Sequence, residues 1–191
     1  MNKSEIFFTG KGSPEADLIA ADFRSIIEKA LSKIPSGAKV LAIISDKTRD
    51  DNTDALFPIA AEILADKNIV KLDALVAQGT HSPMNETEKL SKIGAKSFSE
   101  IPNLQNIFDH DWSNPEKLTT IGELSAERVC EVTKNLFDEP IPLTINKLLA
   151  PGNYDVVLIF GATVPHEVAG FAGGAKYFFP GVAGAEKSFA A

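Results

Sequence analysis

Apolar and polar positions follow two rhythms along this chain. Lys39-Val-Leu-Ala-Ile-Ile-Ser45, Asn68-Ile-Val-Lys-Leu-Asp-Ala-Leu-Val76 and Val156-Val-Leu-Ile-Phe160 are short, mostly apolar runs with the length expected of strands, the last one unbroken and read as buried on both faces. Between them, apolar residues recur at helical spacing. Leu18, Ile19, Phe23, Ile26, Ile27, Ala30, Leu31 and Ile34 predict an amphipathic helix, with Ser13 as N-cap, Pro14 in the first turn and a stop near Pro35-Ser-Gly37. A second helix is expected from about Thr53 to Ala65. A third runs from Glu86 to Ile93, where Asn85 and Glu88 stand at the spacing of a capping box. Residues Ser4 to Thr9 predict a short first strand and Asn106-Ile-Phe108 another. From Thr119 the pattern reads as extended: Val129-Cys-Glu-Val-Thr-Lys134, then Ile141-Pro-Leu-Thr-Ile-Asn146, which Pro140 and Pro142 assign to an edge or a loop. This order predicts an α/β fold, a three-layer sandwich with a mainly parallel central sheet.

In open parallel sheets ligands gather beyond the carboxyl ends of the strands, so the residues that follow each apolar run matter most. Three runs end in polar clusters. The first leads into Asp46-Lys-Thr-Arg-Asp-Asp-Asn-Thr-Asp54, the second into Gln78-Gly-Thr-His81, and the third into a Gly-rich segment carrying His166 and Lys176. Helix capping accounts for Asp51 to Asp54 and leaves Asp46, Thr48 and Arg49 over. Gly170, Gly173 and Gly174 allow a tight backbone cradle. Convergence of the three strand ends on one rim would bring Arg49, His81, His166 and Lys176 together. His110, between Asp109 and Asp111, reads as a hydrogen-bonded corner in preference to a ligand.

Composition narrows the classes. With 191 residues and 44% hydrophobic content, the chain can bury one core, and residues 1–191 are expected to form a single domain. A net charge of −7 argues against a nucleic-acid partner. No apolar run reaches a membrane span and no secretory leader is legible, so a cytoplasmic protein without a membrane partner is expected. The lone Cys130 cannot pair internally and reads as a small buried hydrophobe in a strand. The chain stops directly after its Gly-rich segment and reads as cut short.

Two imidazoles on separate loops can flank a substrate carbon, each able to take or return a proton near neutrality, an arrangement suited to inversion at a carbon bearing a hydroxyl. Arg49 can fork onto a carboxylate, and Lys176 can act as a point charge or a covalent attachment site. The residues by themselves reach an acid–base enzyme of small acidic substrates. Two other readings stand beside it. One is a metal-dependent hydrolase or phosphate-binding module built on the Asp46–Asp54 cluster with Lys176 and the Gly-rich loop. The other is a binding or structural domain in which the His and Lys side chains are inert.

Four separated motifs resemble one family: Asp46-Lys-Thr-Arg49, Gly79-Thr-His81-Ser-Pro83, His110-Asp-Trp112, and Pro165-His166-Glu-Val-Ala-Gly170-Phe-Ala-Gly-Gly-Ala-Lys176 followed by Pro180-Gly181. In this order they resemble the amino-terminal domain of the nickel-pincer-dependent lactate racemases, over roughly residues 40 to 186. The resemblance implies a racemase or epimerase of 2-hydroxy acids that works by hydride transfer. It implies a nickel pincer nucleotide, a pyridinium bisthiocarboxylate mononucleotide, covalent at Lys176 as a thioamide. His81 and His166 match the acid–base pair, and Asp46, Lys47, Thr48 and Arg49 match the segment that contacts the cofactor; a role for Arg49 in orienting substrate is an electrostatic inference. No metal ligand is assigned to this chain, because the family's nickel-coordinating histidine lies beyond the attachment lysine. The implied partners are a small-molecule 2-hydroxy acid and the missing carboxy-terminal domain, without which the isolated domain is expected to be inactive. A homo-oligomer is compatible with the sequence. Ser82 departs from the bulkier or basic residue of many members, which bears on substrate identity.

Overall fold

The computed structural model describes residues 7–15, 17–167 and 170–184. Its centre is a four-stranded parallel sheet of β1 (Lys39–Ile44), β2 (Lys71–Val76), β3 (Leu104–Asp109) and β6 (Val156–Phe160), in the order β3-β2-β1-β6. Ile44 lies opposite both Val76 and Phe160, so three strands end level with one another. Strand alternation splits β1 between two cores. Val40, Ala42 and Ile44 pack with Phe57 and Leu64 of α2 (Thr53–Asp66) and Leu90 of α3 (Glu86–Lys92), while Ile27 of α1 (Ala20–Ala30) lies partly buried against the same cluster. Leu41 and Ile43 face a smaller cluster with Leu75, Tyr177 and Val182. Helices form one outer layer, and short 3-10 turns at Lys147–Leu149 and Gly174–Tyr177 contribute to the other. The result is an α/β sandwich around a parallel sheet.

Beside the main sheet lie two antiparallel pairs. One joins β4 (Leu118–Leu124) to β5 (Ile141–Asn146), and the other joins β7 (Val164–His166) to β8 (Gly170–Ala172). The capping box at α3 is complete: Asn85 Oδ1 accepts from the Glu88 amide at 2.9 Å, and Glu88 Oε2 accepts from the Asn85 amide at 2.9 Å.

Several local expectations change. The stretch Val129–Lys134, expected as strand, falls largely in helix α4 (Ala126–Val132), because Ser125 Oγ accepts from the Arg128 amide and the run Ala-Glu-Arg favours helix. Cys130 is accordingly half-buried on that helix, with Sγ 3.0 Å from Asn135 Oδ1, and is no core residue. Helix α1 begins at Ala20, well after Pro14, where the Asp22 carboxylate caps the Ile19 amide at 3.2 Å. Strand β6 is an edge strand with Val157 and Ile159 about 40% and 41% exposed, since the second layer does not reach over it. Phe7–Thr9 form no strand, and the remainder of the expected strand from Ser4 lies outside the described residues.

Candidate active site

Beyond the level ends of β1, β2 and β6 opens a cleft of about 850 Å³, counted to its solvent mouth. Each strand delivers a polar side chain or loop to it. Ser45 and Asp46 follow β1; Gln78 and His81 follow β2; Ala162 follows β6; and Val164, Ala172 and Gly173 bring in the β7–β8 hairpin.

Asp46 is buried, with Oδ2 2.6 Å from His81 Nδ1 and Oδ1 accepting from the Thr48 amide at 2.9 Å and its hydroxyl at 2.5 Å. Burial pushes the Asp46 carboxyl up, but the hydrogen bonds from Thr48 and His81 prevail and hold it below the usual carboxylate range. An ionised Asp46 therefore accepts a hydrogen bond from His81 Nδ1–H, so that in the neutral form of the exposed ring Nε2 is the nitrogen that can accept.

Lys176 sits half-buried in the 3-10 turn at Gly174–Tyr177, and its backbone is pinned at both ends. Its amide donates to Gly173 O at 3.1 Å, and its carbonyl accepts from the Gly181 amide at 3.0 Å. Gly173, at φ +87°, lies so close to the exit of β6 that a Cβ there would stand 2.1 Å from Ala162 O. The Gly79 amide in turn donates to Gly181 O at 2.9 Å, which fastens the loop after β2 to the segment after Lys176. These contacts hold Lys176, Arg49, Asp46 and His81 around one cleft.

Three expected site residues stand outside its lining. Lys47 turns toward α3, with Nζ 2.7 Å from Glu88 Oε1, and Thr48 acts as the anchor of Asp46. His166 lies on β7 opposite Gly170, three-quarters buried, with Nδ1 3.9 Å from the Glu167 carboxylate. Val164, which does line the cleft, precedes it by two residues and so shares its strand face.

The acidic cluster is already engaged. Asp51 accepts from Ser45 Oγ at 2.6 Å, the Thr53 amide at 3.1 Å and Lys92 Nζ at 2.9 Å, and Asp54 accepts from the Ala55 amide at 2.9 Å. Among the described residues no three His, Cys, Asp or Glu side chains gather as a metal site. His110 is the hydrogen-bonded corner expected of it: Nε2 donates to Ala183 O at 2.8 Å, which leaves Nδ1 to accept from Asn146 Nδ2 at 3.1 Å. Burial depresses its pKa, opposed by the Ala183 hydrogen bond and by Asp111, so the ring is held toward its neutral form.

Residues 11–190 match the family model for the lactate racemase N-terminal domain. The chain belongs to that family. Lactate racemase from Thermoanaerobacterium thermosaccharolyticum is 29% identical over 157 residues, which cover 81% of this chain and 32% of that protein. Lactate racemase from Lactiplantibacillus plantarum is 28% identical over 145 residues, covering 75% and 30% respectively. A crystal structure of a protein from Thermotoga maritima superposes with a TM-score of 0.81 at 31% identity, over 88% of this chain and 39% of that one. The chain thus spans about a third of the length of the curated relatives it matches.

This lactate racemase N-terminal domain also lines its cleft with Gln78 and Tyr177, neither of which is among the expected site residues. Tyr177, beside Lys176, is buried; burial and the charge of Asp51 push its phenol up, while Ser45 and Arg49 pull the other way. Gln78 is buried at 3% exposure. Its signal was available as the first polar residue past β2; Tyr177 looked like one more aromatic in an apolar run. Among the described residues no helix is long and apolar enough to cross a membrane.

Proposed function

We propose that this chain is the domain of a 2-hydroxy-acid racemase or epimerase that provides acid–base catalysis and anchors the cofactor, with activity requiring the remaining length that the relatives possess. The single observation that carries the reading is the Asp46–His81 pair at the mouth of a cleft that also holds Arg49 and Lys176. With Nδ1 held by an ionised carboxylate, Nε2 of His81 takes the proton of the substrate hydroxyl and later returns it. Arg49 gives the cleft a positive charge for the substrate carboxylate. His166 serves as the second acid–base group, acting from the β7–β8 hairpin on the other face of the substrate carbon. Proton loss from the hydroxyl and hydride loss from the carbon leave a planar keto acid; after the keto acid turns over in the cleft, hydride return to its other face and proton return to its oxygen invert the centre.

The residues present fit the nickel pincer nucleotide. Lys176 supplies an amine at the cleft for the thioamide, Asp46 and Arg49 are the members of the Asp46–Arg49 segment that line the cleft beside it, and Gln78 brings a buried oxygen without a partner. When bound, that nucleotide supplies a hydride acceptor for the carbon carrying the hydroxyl. The 191 residues act as one domain of a cytoplasmic enzyme whose substrate is a small anion.

The test uses the full-length protein that carries this domain, loaded with cofactor and assayed for interconversion of hydroxy-acid enantiomers. His81→Ala and His166→Ala are each expected to slow it at least about a hundredfold. Lys176→Ala is expected to remove the covalent mass adduct. Unchanged rates in His81→Ala, or an adduct that survives Lys176→Ala, would refute the assignment.

A further inference from the structure

Gln78 is 3% exposed, and its side-chain oxygen is buried without a hydrogen-bond partner. The two ends of its amide can be told apart. Nε2 stands 3.4 Å from the His81 carbonyl oxygen, which can only accept, so the nitrogen belongs there and the oxygen faces away from it. The turn itself does not need the side chain, because the His81 amide donates to the Gln78 main-chain carbonyl at 3.0 Å. A buried carbonyl without a donor is disfavoured, and an apolar side chain of the same length would fill this place more stably. Gln78 lines the cleft with Asp46, Arg49, His81 and Lys176, and its oxygen is a polar atom of that lining left without a partner.

The neighbours restrict which donor that is. Arg49 and Lys176 are cations that suit the anionic end of a ligand, and anionic oxygens cannot donate to Gln78. A neutral donor remains, and in a hydroxy acid or a nucleotide that donor is a hydroxyl. The hydroxyl on which His81 acts has a single hydrogen, directed at Nε2, so it cannot also serve Gln78.

We propose that Gln78 Oε1 accepts a hydrogen bond from a second hydroxyl of the bound ligand, one that His81 does not deprotonate. The proposal rests on the acid–base reading of His81 above. Two sources share this chemistry: a ribose hydroxyl of a pyridinium mononucleotide, and a further hydroxyl on a polyhydroxy acid substrate.

Calorimetric titration of the full-length protein, produced without cofactor, separates them. Wild type and Gln78→Met are titrated with lactate and with glycerate, which adds one hydroxyl. Both are also titrated with nicotinic acid mononucleotide and its analogue lacking the ribose hydroxyls. Wild type is expected to prefer the hydroxyl-bearing member of one pair by about tenfold, and Gln78→Met to erase that preference. The responding pair names the source. Gln78→Met should unfold no more readily than wild type, since it removes an unpaired buried carbonyl. A preference that survives in Gln78→Met, or binding without preference in either pair, overturns the role of Gln78; if lactate then still shifts the His81 ring resonances in NMR, the acid–base reading stands. Absence of binding by every probe to wild type overturns both.

Discussion

Asp46, Asp51 and Asp73 are carboxylates whose environments oppose one another in the same way. Burial pushes each carboxyl up, and hydrogen bonds from Thr48 and His81, from Ser45, Thr53 and Lys92, and from Lys71, Tyr154 and Asn106 respectively hold each below the usual range. A carboxyl depressed by folding contributes stability above its unfolded pKa of about 3.9 and loses it as pH falls through the folded value. His110 adds to the same slope from higher pH. Its folded pKa is depressed by burial, so its contribution is complete above the unfolded value of about 6.5 and fades as pH drops below that. Urea unfolding measured across pH should therefore give a stability that declines gently below about pH 6.5 and steeply below about pH 4. Asp73→Asn should flatten the steep limb; a profile level down to pH 3, about a unit below the free carboxyl, would show that these groups gain nothing on folding. Asp46 and His81 could each be picked out along the chain, but their 2.6 Å pairing across 35 positions could not.

At the level of elements, caps were legible and context was not. Asn85 and Glu88 announce the start of α3 because both halves of the box lie within four residues. Helix α4 stands where a strand is expected because Val129, Val132 and Thr133 are β-branched and favour extended backbone, whereas the three-residue spacing of the two valines fits a helix and Ser125 caps it. The α2–α3 contact depends on a less visible pairing. Pro58 inside α2 has no N–H for the Asp54 carbonyl one turn back, and Gly94, after α3, packs on that carbonyl at φ +72°. A Cβ at Gly94 would lie 2.0 Å from Asp54 O. Gly94→Ala is accordingly expected to cost about 2–4 kcal/mol through left-handed strain and the clash together. A loss within about 0.5 kcal/mol in denaturant melts, as for an ordinary surface change, would show that α3 can slide away freely.

Across the whole molecule, one face of the sheet is closed by helices and the other only in part. Ile43 and Ile159 are register partners on β1 and β6, yet Ile43 is fully buried and Ile159 is 41% exposed. Ile43→Ala should cost about 2–5 kcal/mol and Ile159→Ala under about 1.5 kcal/mol in this chain. Equal losses in urea melts would mean that β6 is covered after all. The apolar runs determined by themselves that β1, β2 and β6 would be strands and that polar groups would follow each of them, because backbone period and burial are written locally. The sequence likewise determined the hydrogen-bonded part of His110 and the family to which the chain belongs. Tertiary structure alone decided that Tyr177 joins the cleft, that Lys47 leaves it for α3, and that His166 stands on the hairpin outside its lining. Those outcomes depend on which loops touch, through contacts such as Gly173 against Ala162 and Gly79 against Gly181, and no periodicity along a chain encodes a distance between two of its turns.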